Sequence, residues 1–178
     1  RQNIRKGIEY AAIEQLSFTQ LAEEGWALRF ETLSRQGRLG AESERWWRKL
    51  CLSAEGLPGF EAWGAFHDGK LVAALVVYLA DDCYLMLQQQ SLTAHMRFGV
   101  NNVLGFVFTQ KALERPGVKR LFYGLHSLDA SYKVDEFKFR MGYEAEPVRQ
   151  RGVFHPALRP MIKPVTLTAL NSLRGKFL

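Results

Sequence analysis

The chain has 178 residues, of which 47% are hydrophobic, and a formal net charge of +6. The length fits one domain with a sizeable core, and the composition excludes an intrinsically disordered chain. The positive excess lies in residues 147–178, which contain six basic and no acidic residues, so the charge marks a local basic tail and not a basic surface over the whole domain.

The first part of the chain shows mainly helical patterns. Residues 1–10 predict a short basic helix that ends near Gly7, and residues 11–17 predict a strand. Apolar residues recur at helical spacing over residues 18–37, and residues 41–56 predict a further helix. The chain therefore opens with helices around a single strand.

The middle of the chain predicts an antiparallel meander. Residues 60–80 contain two apolar runs joined at Asp68-Gly69, and Asp-Gly between apolar runs is a strong signal for a β-hairpin. A short turn then leads to a third strand at residues 83–92. Three successive strands with tight connections pair antiparallel.

Strands and helices alternate after residue 100. Residues 101–117 predict a helix with Asn101 or Asn102 as its N-terminal cap, followed by a strand (118–127), a helix (131–142) and a strand (143–154). Such alternation requires parallel crossovers. We therefore predict an α/β (α+β) fold whose mixed central sheet has an antiparallel meander and then a parallel βαβ part, with helices on both faces.

The end of the last predicted helix has a distinct pattern. Val134, Phe137 and Met141 form an apolar stripe that would pack on the sheet. Gly142 suits the left-handed conformation that ends many helices. Lys138 lies off the stripe, so this lysine is available for a site.

Residues 131–143 resemble the C-terminal motif of the GCN5-related N-acetyltransferases. That motif reads Asn, six variable positions and Phe-Tyr-Glu-Lys-Leu-Gly-Phe. Ser131 falls on the Asn position and Lys138 on the Tyr position, without a gap. With the order of elements over about residues 60–155, the resemblance implies the acyl-CoA N-acyltransferase fold. It implies one domain over residues 1–160, followed by a basic tail or docking helix at residues 161–178.

The same region is more similar still to FemAB-like domains of this fold. Those domains have an Asp- or Ser-containing loop and then a Phe-Lys pair before the glycine, which here are Ser127, Asp129 and Phe137-Lys138. The best-known FemAB-like proteins take an aminoacyl group from tRNA. The resemblance therefore implies either acyl-CoA or aminoacyl-tRNA as the donor.

The segment MRFGVNNVLG is the predicted phosphate-binding turn. A helix N-terminus with free N–H groups neutralises a pyrophosphate, and the acetyltransferases use an Arg/Gln-x-x-Gly-x-Gly/Ala loop there. Only Gly99 falls cleanly on that motif, which favours the FemAB-like side. The predicted cofactor-binding residues are Arg97, Phe98, Gly99, Val100, Asn101, Asn102 and Ser131.

Polar residues meet at the cleft that this fold opens between the third meander strand and the next parallel strand. Gln88 and Gln90 share a strand face, and amides in an apolar strand indicate either a cleft lining or an exposed edge. Histidine titrates near neutral pH, which makes His126 the best base. We predict Lys138, Tyr123 and His126 as catalytic, and Gln88, Gln90, Ser127 and Asp129 as substrate-binding residues.

Three functions follow from these patterns. The first is acyl transfer, from acetyl-CoA or another acyl-CoA, to a small-molecule or peptide amine by direct attack. The second is a FemAB-like aminoacyl or peptidyl transferase that uses aminoacyl-tRNA, and the third is a non-catalytic binding module of the same fold. A second copy of the chain is a further candidate partner.

The remaining signals concern compartment and chain ends. Cys51 and Cys83 lack metal-ligand spacing, which favours a reduced cytoplasmic chain and predicts no metal. The longest apolar run, Leu71 to Leu79, is too short to cross a bilayer, so we expect no membrane insertion. The chain begins with Arg1 and not Met, as expected of a trimmed protein or of the C-terminal piece of a longer one.

Overall fold

The structure is a computed structural model that describes residues 2–124 and 132–147. A five-stranded sheet in the order β1-β2-β3-β4-β5 forms its centre. The elements in chain order are α1 (Gln2–Tyr10), β1 (Ala12–Leu16), α2 (Phe18–Glu24), α3 (Trp26–Arg35), α4 (Glu44–Ala54), β2 (Phe60–His67), β3 (Lys70–Ala80), β4 (Cys83–Ser91), a 3₁₀ helix (Thr93–Phe98), α5 (Val100–Leu113), β5 (Arg120–Phe122) and α6 (Tyr132–Arg140).

The sheet is mixed, as the sequence predicts. β1 to β4 pair antiparallel, and β4 and β5 pair parallel. Asp68 and Gly69 connect β2 and β3 with positive φ angles of 50° and 71°, which two-residue hairpin turns require. The predicted hairpin and meander are therefore confirmed.

The two faces of the sheet carry separate cores. α5 packs on one face, where Trp63, Tyr84 and Phe108 are buried together. α2, α3 and α4 cover the other face, where Trp47 is almost fully buried. Residues 71–75 of β3 are buried without alternation because helices cover both sides of this central strand.

Two predictions for the N-terminal helices are wrong. α1 continues past Gly7 because this glycine lets α1 approach α5: a β-carbon at Gly7 would lie 2.6 Å from the β-carbon of Val103. The single helix predicted over residues 18–37 is divided at Gly25 into α2 and α3. Both differences arise from packing that a local pattern does not contain.

Three predictions for the C-terminal part are also corrected. Gly99 is the N-cap of α5, and the Asn101 side chain instead donates to Ser91 Oγ. The strand predicted over residues 118–127 is described only as Arg120–Phe122. Residues 143–147 form no strand, because residues 144–147 are all exposed and bury no face against the sheet.

Other predictions concern the ends of the described residues. Gly142 has a φ of 93° and follows α6, which confirms the predicted left-handed cap. The part of the chain through Glu144 forms one compact unit, and the domain limit predicted at residue 160 lies outside the described residues. None of the helices in residues 2–124 and 132–147 combines the length and apolar character that a membrane crossing needs.

Candidate functional site

β4 and β5 part soon after they pair. Their register runs only from Cys83 and Arg120 to Leu85 and Phe122. Beyond Leu85, residues 86–91 of β4 pair with β3 on one side and, among the described residues, with no strand on the other. The unpaired edge of a strand presents N–H and C=O groups that can bind an extended ligand.

A β-bulge changes which side chains of β4 face each core. Val77 pairs with Met86 and Val76 with Gln88, so Leu87 is an extra residue in β4. An extra residue shifts the side-chain alternation by one position. Gln89 consequently lies on the same face as Met86, toward α5.

Gln89 connects α5 to the start of the segment after β5. Its Nε2 donates to the carbonyl oxygen of Asn101 at 2.8 Å, and the Tyr123 hydroxyl donates to its Oε1. Burial raises the pKa of Tyr123, so the hydroxyl keeps its proton at physiological pH. A neutral proton donor is thus held at the point where β4 and β5 part.

Lys138 and Tyr123 come together at this site. Lys138 Nζ lies 5.9 Å from the Tyr123 ring centroid and 3.4 Å from Asp135 Oδ1. The Lys138 side chain is 15% exposed, so its ammonium group is held in place and is not a freely solvated surface charge. The Tyr143 ring packs against Tyr123 with centroids 5.1 Å apart.

Several solved structures with a similar fold are acetyltransferases. The ribosomal-protein-alanine N-acetyltransferase from Brucella melitensis biovar Abortus 2308 matches with a TM-score of 0.61 and 18% identity over 82% of this chain and 99% of that chain. An aminoglycoside acetyltransferase from an uncultured soil metagenomic sample, in complex with sisomicin, matches with a TM-score of 0.60 and 16% identity over 83% and 99%. Aminoglycoside N-acetyltransferase AAC(6')-Iy, in complex with CoA, matches with a TM-score of 0.61 and 12% identity over 82% and 93%.

The chain has the fold of these N-acetyltransferases. No protein-family model and no curated protein matches it. The predicted acyl-CoA N-acyltransferase fold is therefore confirmed. The closer likeness to FemAB-like domains stays a prediction.

In this acetyltransferase fold the predicted phosphate-binding turn lies under α1. A β-carbon at Gly99 would clash with the Asn3 carbonyl oxygen, and Val100 is fully buried. The Gly99 N–H donates to the Met96 carbonyl oxygen and is not free. Within the described residues, α1 thus occupies space that a pyrophosphate on Gly99 and Val100 would need.

The other predicted cofactor-binding residues flank this turn. Phe98 stacks on Tyr10 of α1 with ring centroids 4.1 Å apart, and the exposed Arg97 guanidinium lies 4.7 Å above the Phe98 ring. Asn101 and Asn102 are partly exposed, and Asn102 Nδ2 contacts Met141 Sδ at 3.4 Å. Arg97 and the partly exposed Asn102 therefore remain open to a ligand, whereas the Asn101 amide donates to Ser91 Oγ and its Oδ1 is buried.

The predicted substrate-binding glutamines lie on the face opposite Gln89. Gln90 Nε2 donates to Gln88 Oε1 at 2.9 Å, which agrees with their predicted shared face. Gln90 is 2% exposed, and its Oε1 has no hydrogen-bond partner among the described residues. A buried carbonyl oxygen without a partner is costly and marks a position where a ligand donor or water can bind.

Gln88 lines an apolar pocket of about 250 Å³ between α4 and the bulge of β4. Trp47 and Cys51 also line the pocket, together with the exposed Leu57 and Leu87. Burial raises the pKa of the Cys51 thiol to about 12, so this thiol is neutral and not a nucleophile at physiological pH.

His126, Ser127, Asp129 and Ser131 lie outside the described residues. The structure brings together Tyr123 and Lys138 of the predicted catalytic set, and it adds Gln89. Sequence alternation places Gln89 opposite its neighbours, but the bulge that turns it toward Tyr123 leaves no local signal.

Proposed function

We propose that this protein is an N-acyltransferase that transfers an acyl group from acyl-CoA directly to a primary amine where β4 and β5 part. The observation that supports this most strongly is the edge of β4 beyond Leu85, which pairs with no strand of the described residues on the β5 side and lies next to the buried hydroxyl of Tyr123. The fold shared with N-acetyltransferases is consistent with acyl transfer, but one fold hosts many activities, so the proposal depends on the residues of the site.

The residues of this site fit the acyl end of the donor better than its pyrophosphate. The backbone groups of residues 86–91 that bind neither β3 nor another described strand can pair with amide groups of an extended arm. When bound, acyl-CoA supplies an acyl thioester whose C–S bond breaks as the new N–C bond forms. Because Gly99 and Val100 are buried under α1 and the Asn101 amide donates to Ser91, we assign phosphate contacts to Arg97 and Asn102.

The chain itself supplies proton donors and a positive field. Gln89, held by the Asn101 carbonyl oxygen, positions the Tyr123 hydroxyl, whose proton passes from its hydrogen bond with Gln89 Oε1 to the departing sulfur while the attacking amine loses a proton to solvent. The Lys138 ammonium group beside the Tyr123 ring favours negative charge that develops during the reaction. The neutral Cys51 thiol is consistent with direct transfer and not with an acyl-cysteine intermediate.

Thiol release from acetyl-CoA in the presence of primary amines tests this proposal. We expect Tyr123→Phe to reduce turnover about 100-fold, the usual scale for loss of a general acid. Tyr78→Phe is the matched control, because Tyr78 is a partly buried tyrosine of β3 whose ring packs on Phe60. Equal rates for the two variants would contradict the role of Tyr123.

Direct titration with CoA tests the donor separately. Binding that weakens when Arg97 is changed to Ala supports acyl-CoA. If CoA does not bind and no thiol is released, the acyl-CoA donor is overturned. Aminoacyl-tRNA is then the donor to test. The expected compartment remains the cytoplasm.

A further inference from the structure

The apolar pocket beside the bulge of β4 has the features of an acceptor site. Leu87, the extra residue of the bulge, and Gln88 both line it, and both belong to the β4 segment that β5 leaves unpaired. A group in this pocket therefore lies beside the strand edge to which we assign the acyl donor. This inference rests on the proposed function.

The lining of the pocket indicates what kind of molecule binds. No charged residue stands among the described residues that line it. Leu57 and Leu87 are 49% and 48% exposed, and they add apolar area that water contacts when the pocket is empty. A polycationic acceptor would find no carboxylate in this lining, whereas an apolar group would cover these leucines.

The size of the pocket limits the group further. A cavity of about 150 Å³ holds a benzene ring in another protein, and this pocket measures about 250 Å³. The pocket therefore takes one aromatic ring or a short alkyl chain and not a sugar chain or a folded partner.

Polar groups occur at the side of the pocket nearest β4. Gln88 lines the pocket and accepts a hydrogen bond from Gln90, whose own Oε1 is buried without a partner in the described part of the chain. The Gln88 amide oxygen in the lining can accept a hydrogen bond from an amine, and Gln90 behind it holds that amide in place. Trp47, which lines the pocket and is 1% exposed, also has an indole N–H without a partner among the described residues.

We propose that this pocket binds the carrier of the acceptor amine, and that the carrier is apolar: an aromatic ring or short alkyl chain attached to a primary amine. The amine nitrogen lies toward Gln88 and the unpaired edge of β4. The ring or chain lies against Leu57, Leu87 and the α4 side of the pocket.

The probes are 2-phenylethylamine as an apolar amine and glucosamine as a polar one, each titrated calorimetrically into the full chain. We expect 2-phenylethylamine to bind at least about tenfold more tightly, since burying a ring gains the transfer free energy of its apolar area. We also expect the Trp47 indole N–H resonance to shift in ¹⁵N-labelled protein. Equal affinities, or a Trp47 resonance that does not move, would overturn the proposal.

Surface variants locate the binding. The double variant Leu57→Asn, Leu87→Asn is expected to weaken 2-phenylethylamine binding about tenfold, because two apolar contacts are lost. Leu113→Asn is the matched control, since Leu113 is 50% exposed at the end of α5 and does not line the pocket. Ser53→Phe is the alternative variant if the double variant fails to fold. Its ring fills the pocket from the exposed side of α4, so we expect the same loss of binding. Unchanged binding in a folded variant contradicts the site.

The transfer assay separates this inference from the proposed function. Thiol release with glucosamine, without binding of 2-phenylethylamine, overturns the apolar acceptor and leaves acyl transfer intact. Binding at Trp47 without thiol release for any amine overturns acyl transfer and leaves an apolar ligand in the pocket.

Discussion

The two ends of β4 treat their polar groups in opposite ways. At the end that begins with Cys83, the buried hydroxyl of Tyr84 donates to Glu61 Oε1 at 2.5 Å, and Arg115 contacts both the hydroxyl and the carboxylate. The Trp63 indole donates to the second carboxylate oxygen at 3.1 Å. Each of these polar side chains has a partner, and β5 covers the strand edge beside them.

At the other end of β4, two buried polar atoms have no partner among the described residues. These are Gln90 Oε1 of β4 and Asn101 Oδ1 at the start of α5. Within residues 2–124 and 132–147, the strand edge beyond Leu85 also has no neighbouring strand on the β5 side. Folding alone gives no reason to bury such atoms. One end of the strand therefore stabilises the fold, while the other holds buried acceptors whose cost is explained by ligand binding if the proposed function is right.

The largest expected effect comes from disrupting the hydrogen-bonded cluster of Glu61, Tyr84 and Arg115 at the Cys83 end of β4. Glu61→Ala removes the carboxylate that joins Arg115, Tyr84 and Trp63, and we expect the free energy of unfolding to fall by about 3 kcal/mol, as when one partner of a buried pair is lost. Urea unfolding measures it. Glu23→Ala is the control, because the Glu23 and Arg48 side chains are more than half exposed and their pair contributes less than about 1 kcal/mol. Equal losses of unfolding free energy in the two variants would contradict a stabilising role for the Glu61 carboxylate.

The same carboxylate predicts a pH dependence. Burial alone would raise the pKa of Glu61, but hydrogen bonds from Arg115, Tyr84 and Trp63 outweigh burial and lower it. A lowered folded-state pKa means that the stabilisation is present above the unfolded value of about 4.5 and is lost as the pH falls through the folded value. Unfolding free energies measured from pH 7 downward should therefore decline more steeply for the wild type than for Glu61→Ala, and parallel curves would contradict this.

A smaller effect on stability is expected when Gln89 is changed, in the part of β4 that β5 does not cover. Gln89→Met removes the amide that binds the Asn101 carbonyl oxygen and the Tyr123 hydroxyl. We expect a loss of about 1 to 2 kcal/mol in unfolding free energy, the scale for partly buried hydrogen bonds. Thiol release should fall as well, because Tyr123 loses its orientation. Unchanged thiol release in the folded variant would contradict the role of Gln89 in orienting Tyr123.

The smallest effect on stability is expected from Gln90. Gln90→Met has a similar volume and removes a carbonyl oxygen that has no partner among the described residues, so we expect stability within about 0.5 kcal/mol of the wild type or higher. At amine concentrations below KM, the rate of acyl transfer should nevertheless fall severalfold, because the KM for the amine increases. A destabilisation as large as that of Gln89→Met would mean that Gln90 has a structural role.

Local signals predict much of this fold. Asp68-Gly69 identifies the hairpin because few residue pairs adopt two positive φ angles, and Gly142 ends α6 for a related reason. The apolar runs of β2 to β4 are long enough to predict the meander. These features depend on neighbours within a few positions of the chain.

The features that shape the candidate site depend on distant contacts. The bulge at Leu87 turns Gln89 toward Tyr123, and no residue of QQQ differs from its neighbours in a way that predicts this. Gly7 reads as a helix end and is instead the contact of α1 with Val103. Sequence patterns place the candidate site on β4, which stays a prediction, but they do not indicate which of its glutamines faces Tyr123.

The contact of α1 with the start of α5 has a consequence for biosynthesis. Tyr10 stacks between His67 and Phe98 and bonds to His95, which is 85 positions further along the chain. A ribosome that adds roughly 5 to 20 residues per second needs several seconds to make that partner. α1 therefore docks only after the chain has been extended through His95 and the start of α5.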